Sequence, residues 1–389
     1  MILKDNAPKV ADQCDSVPSS SEGEEEVMNF TADSSDRVYW PPRESTAFVA
    51  PWCRRRYALS LRGNPQHLTA NSFRKLLEMN YKVIARRIVG SVCMVETIPL
   101  EKALRLRVFE RVRGVLQRIW PTAKIDVFGS LYTNLFLPTS DIDVVVESNL
   151  VSEEPPLWKT AVALKESGIT ESINVLDKAF VPIVKMVDKD TKIYLDISFN
   201  TIQGVRSAKF IEDMKMRYPV LEPLVLVLKQ FLMQRQLNQV FTGGLSSYGL
   251  ILMLISFLQL HPSYDYSYKG ITEVNMGVLL LNFLQLYGQE FNYMKTALRI
   301  HSGGAYVCKD EILIQMNRPS NSMLCIEDPL QPGNDIGRCS HNIQLVRQAF
   351  EHAFATLCAV FVRSREYSAL WRTRYHGSLL SLILHISLE

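Results

Sequence analysis

The chain has 389 residues, 47% of them hydrophobic and 21% charged, which suits two or three domains with cores of their own and excludes both small disulfide scaffolds and wholly disordered chains. Its formal charge of +3 averages two unlike parts: residues 1–36 carry two lysines against nine acids, −7, while the other 41 basic and 31 acidic residues leave +10. An excess of that size attracts a polyanion moderately, or is simply a solvated surface.

Residues 16–36 are rich in Ser and Glu and poor in apolar side chains, so they cannot bury enough surface to offset the entropy of ordering and are expected to form a disordered acidic arm. Between Glu101 and Trp120, apolar Leu104, Val108, Val112, Val115, Leu116 and Ile119 recur at steps of mostly three and four, with five arginines (Arg105, Arg107, Arg111, Arg113, Arg118) among them. That pattern predicts an amphipathic helix with a basic outer side, ended by Pro121. Strand-like runs follow at 125–128, 142–146, 181–187 and 192–199, and then long helical runs at 221–236, 247–259, 274–287 and 343–362. The expected organisation is an arm over 1–50, an α/β catalytic domain over 95–220, a mostly helical domain over 221–365 and a tail over 366–389. The longest strongly apolar run, 248–260, is too short for the ~20 residues of a membrane span and reads as a buried helix. No signal peptide or membrane segment is expected, and seven scattered cysteines without a C-x-x-C pair read as reduced thiols in an intracellular protein.

The sharpest feature is Phe128-Gly129-Ser130, ten further residues, and then Asp141-Ile142-Asp143-Val144-Val145-Val146. Side chains alternate along a strand, so Asp141 and Asp143 share one face, about 7 Å apart, while Ile142, Val144 and Val146 can pack on the other. The run 192–199 repeats the logic: Ile193, Leu195, Ile197 and Phe199 make an apolar face and leave Asp196 opposite. If these strands are neighbours, three carboxylates meet, which is the usual protein part of two-metal phosphoryl or nucleotidyl transfer. Glycine at 129 lets backbone amides approach a phosphate, and the Ser130 hydroxyl can join them.

These motifs resemble the DNA polymerase beta-like nucleotidyltransferase superfamily. The runs LPTSDIDVVV (137–146), VLVLKQFLMQRQLN (225–238), FTGGLSSYGL (241–250), GVLLLNFLQLYGQEFNY (277–293) and IEDPLQPGNDIGR (326–338) narrow the resemblance to the nuclear TRAMP-type poly(A) RNA polymerases with a PAP-associated domain. The resemblance implies a nucleotidyltransferase palm, a short mixed sheet with helices, followed by the helical domain. It also implies AMP transfer from ATP to RNA 3′ ends, with Asp141, Asp143 and Asp196 as the catalytic carboxylates that bind Mg²⁺ or Mn²⁺. Gly129, Ser130, Lys229 and Ser247 match triphosphate contacts, Tyr248 the base-stacking ring, Gly204 a position beside the nucleotide, and Asn334 with Arg338 the nucleotide-recognition loop.

The residues themselves leave alternatives open. Lys229 lies in an apolar helix and either meets an anion or snorkels to solvent. Ser246 and Ser247 either cap a helix or bind phosphate, Tyr248 either stacks on a base or fills a core, and Asn334 either shapes a turn or pairs with an adenine edge. Asn200 could reach a ribose hydroxyl, the clusters 54–56 and 86–87 could touch RNA phosphate, and Cys339 with His341 lack partners for a zinc site. Uridine-adding relatives carry a histidine in the recognition loop; none lies in 330–338, which favours ATP over other or mixed nucleotides. The resemblance further implies a zinc-knuckle RNA-binding protein and a helicase as partners in a TRAMP-like complex, a nuclear or nucleolar location, and a role in RNA processing or exosome-type decay. A catalytically silent RNA-binding scaffold on the same fold is the rival expectation.

Overall fold

The structure is a computed structural model that describes residues 99–147, 156–179, 181–261, 276–316, 322–362 and 380–384. The acidic arm and the arginine clusters at 54–56 and 86–87 lie outside the described residues.

Helix α1 (Pro99–Ile119) leads into a five-stranded sheet built from β1 (Lys124–Phe128), β2 (Ile142–Glu147), β3 (Thr170–Leu176), β4 (Ile183–Asp188) and β5 (Tyr194–Phe199), with α2 (Pro156–Glu166) between β2 and β3. The spatial order is β1-β2-β5-β4-β3; only the β2–β5 pair is parallel, and the rest are antiparallel. Alternation does the sorting that the sequence pattern predicts. Ile142, Val144 and Val146 of β2, Val184 and Met186 of β4, and Leu195 and Ile197 of β5 are buried in one core with Val108, Val112 and Leu116 of α1. Each such side chain contributes roughly 1.5–3 kcal/mol on burial.

Two expectations about α1 are corrected. Arg105 is buried, at 1% exposure, whereas Leu104 is 41% exposed. The inward stripe of this helix runs through positions 105, 108, 112 and 116, so the arginine takes the place assigned to the leucine, and the helix is not basic on its outer side alone. Arg111 is paired with Asp188 and Asp190 across the sheet edge, which reduces the cationic surface further.

The second part is helical: α3 (Ile202–Arg217), α4 (Leu221–Gln234), α5 (Ser247–Leu260), α6 (Met276–Gln285), α7 (Lys309–Met316) and α8 (Ile343–Val362), with a small hairpin of β6 (Thr296–Arg299) and β7 (Ala305–Cys308). As expected, α5 is buried on nearly every side, because α4, α6 and α8 contribute to the core around it. Phe283 packs edge-on against both Phe257 and Phe350, and the Tyr287 hydroxyl donates to Met253 O at 2.9 Å. Leu380, Ile383 and Leu384, far along the chain, belong to the same core. No helix among the described residues is long and apolar enough to cross a membrane.

Candidate active site

Strand register brings the carboxylates together. Asp143 of β2 stands opposite Asp196 of β5 in the parallel pair, Asp141 precedes β2 by one residue, and Phe128, the last residue of β1, stands opposite Asp143 on its other side. Gly129 then turns the chain with φ +62°, into a short helical turn. A side chain there would collide with the Asp143 carboxylate, so glycine is required by the close approach as well as by the dihedral. The Ser130 backbone N–H donates to Asp143.

The electrostatics are those of like charges crowded in a cleft. Burial, reinforced by Asp196 and Asp141, pushes the Asp143 carboxyl up to about 7. Burial and Asp196 also raise Asp141, partly offset by Lys185 and Arg105. Lys185 was not singled out from the sequence. It sits opposite Asp196 on β4 and donates to both Asp196 oxygens, at 2.9 and 2.7 Å, with Asp141 Oδ2 3.8 Å away. Burial works against its charge, but the carboxylates outweigh it and leave its pKa raised. The signal was present in 183–188, where a lysine stands between Ile183 and Val187 on the less buried face of the alternation; only the neighbouring strand gives it meaning.

A cavity of about 540 Å³ opens beside this cluster, and its walls come from both parts of the chain. Gly129, Ser130, Asp141 and Asp143 line the sheet side, Gly204 of α3 the floor of the cleft, and Lys229, Ser247 and Tyr248 the helical side. Asp196, Asn334 and Arg338 are not in these walls. Gly204 packs so closely on Phe128 that a Cβ would come within 2.6 Å of the ring. Lys229 does not snorkel: it is 8% exposed, donates to Leu135 O at 2.6 Å, and is lowered to about 8 by burial, with Asp143 pulling the other way. Ser246 is the helix cap, its hydroxyl accepting from Gly249 N at 2.9 Å, which leaves Ser247 facing the cavity. The Tyr248 hydroxyl, beside Ser207, is pushed up to about 12 by burial.

Asn334 does shape a turn. Its backbone N–H donates to Gln331 O, its carbonyl accepts from Asp328 N, and its side-chain nitrogen donates to Asp328 Oδ2 at 2.8 Å. Arg338, in the following short helical turn, is exposed, and that turn packs near α5. Asn200 is exposed, with φ +54°.

The donor set suits a hard divalent cation: carboxylate oxygens beside a cavity large enough for substrate phosphates, the arrangement by which Mg²⁺ is commonly held through one or two carboxylates plus phosphate. Among the described residues no group of three or more His, Cys, Asp or Glu side chains is placed to hold a metal ion together; Asp141 and Asp143 line the cavity, while both Asp196 oxygens accept from Lys185. Burial first, and then repulsion from neighbouring carboxylates, raises Asp141 and Asp143, and a cation would offset both.

The mixed sheet with paired carboxylates, closed over by a helical domain, defines the class: a nucleotidyltransferase palm with its PAP-associated helices. Family profiles agree, one described as "Poly(A) RNA polymerase, mitochondrial-like, central palm domain" over residues 85–214 and one as "Cid1 family poly A polymerase" over 275–334. The polymerase core of TRAMP, an RNA surveillance complex, superposes with a TM-score of 0.69 at 33% identity, covering 79% of this chain and 95% of that one. The chain belongs to the TRAMP-type poly(A) RNA polymerase family. It is 42% identical over 352 residues to poly(A) RNA polymerase gld-4 of Caenorhabditis elegans, covering 86% of this chain and 38% of that protein. It is 39% identical over 269 residues to the Drosophila melanogaster protein named inactive non-canonical poly(A) RNA polymerase protein Trf4-2, covering 68% of this chain and 65% of that one. The chain thus spans well under half of one relative and about two thirds of the other.

Proposed function

We propose that this chain adds AMP from ATP to RNA 3′ ends without a template. The observation that carries the reading is the register of Asp143 against Asp196, with Asp141 one residue before the strand, at a cavity whose far wall holds Lys229, Ser247 and Tyr248. In the reaction the RNA 3′ oxygen bonds to the α-phosphorus of ATP, the α–β phosphoanhydride bond breaks, and pyrophosphate leaves. Asp141, Asp143 and Asp196 are the residues that would hold Mg²⁺ or Mn²⁺. Bound there, divalent ions acidify the attacking hydroxyl and neutralise the leaving group. Ser130, Ser247 and Lys229 bind the triphosphate; a lysine already desolvated gains most from an anion brought to it. Tyr248 offers its ring to the base, and glycine at 204 lets α3 pack directly against the Phe128 ring at the cavity wall.

Adenine would be selected through the Asn334 amide. A carboxylate only accepts hydrogen bonds, so the Asn334 nitrogen faces Asp328 and gives it one of its two hydrogens, which leaves Oδ1 as an acceptor for the exocyclic amine of adenine and the second N–H as a donor for a ring nitrogen. Arg338, exposed on the same loop, would meet the nucleotide or RNA phosphate. The protein would work in the nucleus or nucleolus on RNAs bound for processing or decay, with a zinc-knuckle RNA-binding protein and a helicase as partners.

The test is primer extension on an RNA oligonucleotide with each of the four NTPs separately, with and without a zinc-knuckle partner. ATP should be incorporated best, and Asp141→Ala combined with Asp143→Ala should abolish incorporation in a folded protein. Preference for UTP or for mixed nucleotides refutes the adenine reading, and retained incorporation by the double variant refutes the carboxylate mechanism. A second reading, a catalytically silent RNA-binding scaffold, draws on the relative named inactive. Absence of divalent-ion-dependent ATP consumption with the partner present would favour it.

A further inference from the structure

Arg105 is the largest fully buried side chain among the described residues, yet it carries a permanent charge and lies outside the cavity wall. A buried guanidinium is costly unless its donors are met, so where those donors go is informative. Nη1 donates to Ser140 O at 2.6 Å, Nη2 to Pro138 O at 2.7 Å and to Leu137 O at 3.4 Å, and Nε to Glu101 Oε1 at 3.2 Å. The three carbonyls belong to three of the four residues immediately before Asp141, and the shortest bond is to the residue directly attached to it. The same segment is closed on itself by Ser140 N to Leu137 O at 2.9 Å and Leu137 N to Ser140 Oγ at 2.9 Å. It is also cavity wall, through Leu137, Thr139 and Ser140. The guanidinium lies 5.0 Å from the centre of the Phe136 ring, so its plane is held by packing as well as by hydrogen bonds. Lysine could not make this set of contacts, because three carbonyls and a carboxylate are met here by a rigid planar fork.

We infer that Arg105 is a positioning residue for Asp141: the α1 guanidinium, itself steadied by Glu101, pins the 137–140 turn from behind and so sets where the first carboxylate of the site presents its oxygens. The inference rests on the reading of Asp141 and Asp143 as divalent-ion ligands. It assigns the arginine to the palm interior and not to RNA. Groups that orient a metal ligand without touching the metal commonly change affinity about 10- to 100-fold when removed.

The experiment measures Mn²⁺ binding by electron paramagnetic resonance on the full chain, for wild type, Arg105→Lys, Arg105→Met and Glu101→Gln, at a temperature where circular dichroism and melting show each to be folded. Binding of a fluorescent ATP analogue in EDTA is measured beside it. The expected result is Mn²⁺ affinity weakened about 10-fold or more in Arg105→Lys and Arg105→Met and less in Glu101→Gln, with metal-free nucleotide binding within about twofold of wild type. RNA binding at low salt should be unchanged in Arg105→Lys. Wild-type Mn²⁺ affinity in a folded Arg105→Lys overturns the inference. So does loss of nucleotide and RNA binding in parallel with Mn²⁺, which would mark a general structural role. If Arg105→Met fails to fold, the lysine and Glu101→Gln variants decide. No Mn²⁺ binding by wild type would instead refute the metal reading on which the inference rests.

Discussion

Replacing Asp143 by Asn removes a charge and almost nothing else, since the amide oxygen can still accept from the Ser130 N–H. In the metal-free protein, burial and two neighbouring carboxylates hold this carboxyl at about 7 in place of 3.8. Between pH 4 and pH 7 the folded protein therefore keeps a proton at Asp143 that the unfolded chain has released. Stability drawn from this site falls as pH rises through that window and stays low above it. The difference corresponds to about 4 kcal/mol at pH 8, and to about 2 kcal/mol once side-chain relaxation in an open cleft is allowed for. Urea unfolding in EDTA at pH 4, 6 and 8 measures it. Asp143→Asn should match wild type at pH 4 and exceed it by about 2–4 kcal/mol at pH 8 while losing polymerisation. Mn²⁺ should stabilise wild type at pH 8 and the variant much less. A variant no more stable than wild type at pH 8 would show that neither burial nor the neighbouring carboxylates penalise the Asp143 charge, and the physical case for a cation at this site would fail with it.

Two further substitutions test the walls of the cleft. Gly129→Ala places a methyl against the Asp143 carboxylate at a residue with φ +62°, so it should cost about 1–3 kcal/mol of stability and lower kcat steeply, read by thermal melting and steady-state kinetics. Lys229→Met exchanges a desolvated cation for an apolar side chain of similar length; it should leave the melting temperature at pH 7.5 unchanged or raised but increase the KM for ATP about 10-fold or more. An unaltered KM would remove Lys229 from the triphosphate site.

Much of β2 is legible in the chain itself, because a two-residue period decides which side chains share a face whatever surrounds them. Ile142, Val144 and Val146 went into the core and the flanking aspartates to the cleft, as alternation requires. The long apolar run became the buried α5, since a helix apolar on every side has no stable place at a surface. Elements with weaker patterns escaped: β3 is an edge strand with no fully buried residue, α3 fully buries only Ala208 and Ile211, and β6 and β7 have four residues each. The polar residues were less legible than the apolar ones. A lysine in a strand, an arginine in a helix and an asparagine in a loop each have several chemically sensible fates.

What the sequence determined by itself is which aspartates stand opposite the apolar face of each strand, through short-range periodicity, and the family, through the spacing of F-G-S, D-I-D and D-I-S-F. Only the tertiary structure decided which cation each polar group meets. Strand order brought Lys185 to Asp196, and the pitch of α1 turned Arg105 inward, beneath the turn before Asp141. The physical reason is that alternation and helical period are local properties of the backbone. Whether Lys185 meets Asp196, 11 residues on, or Arg105 meets the Ser140 carbonyl, 35 residues on, depends on which elements become neighbours.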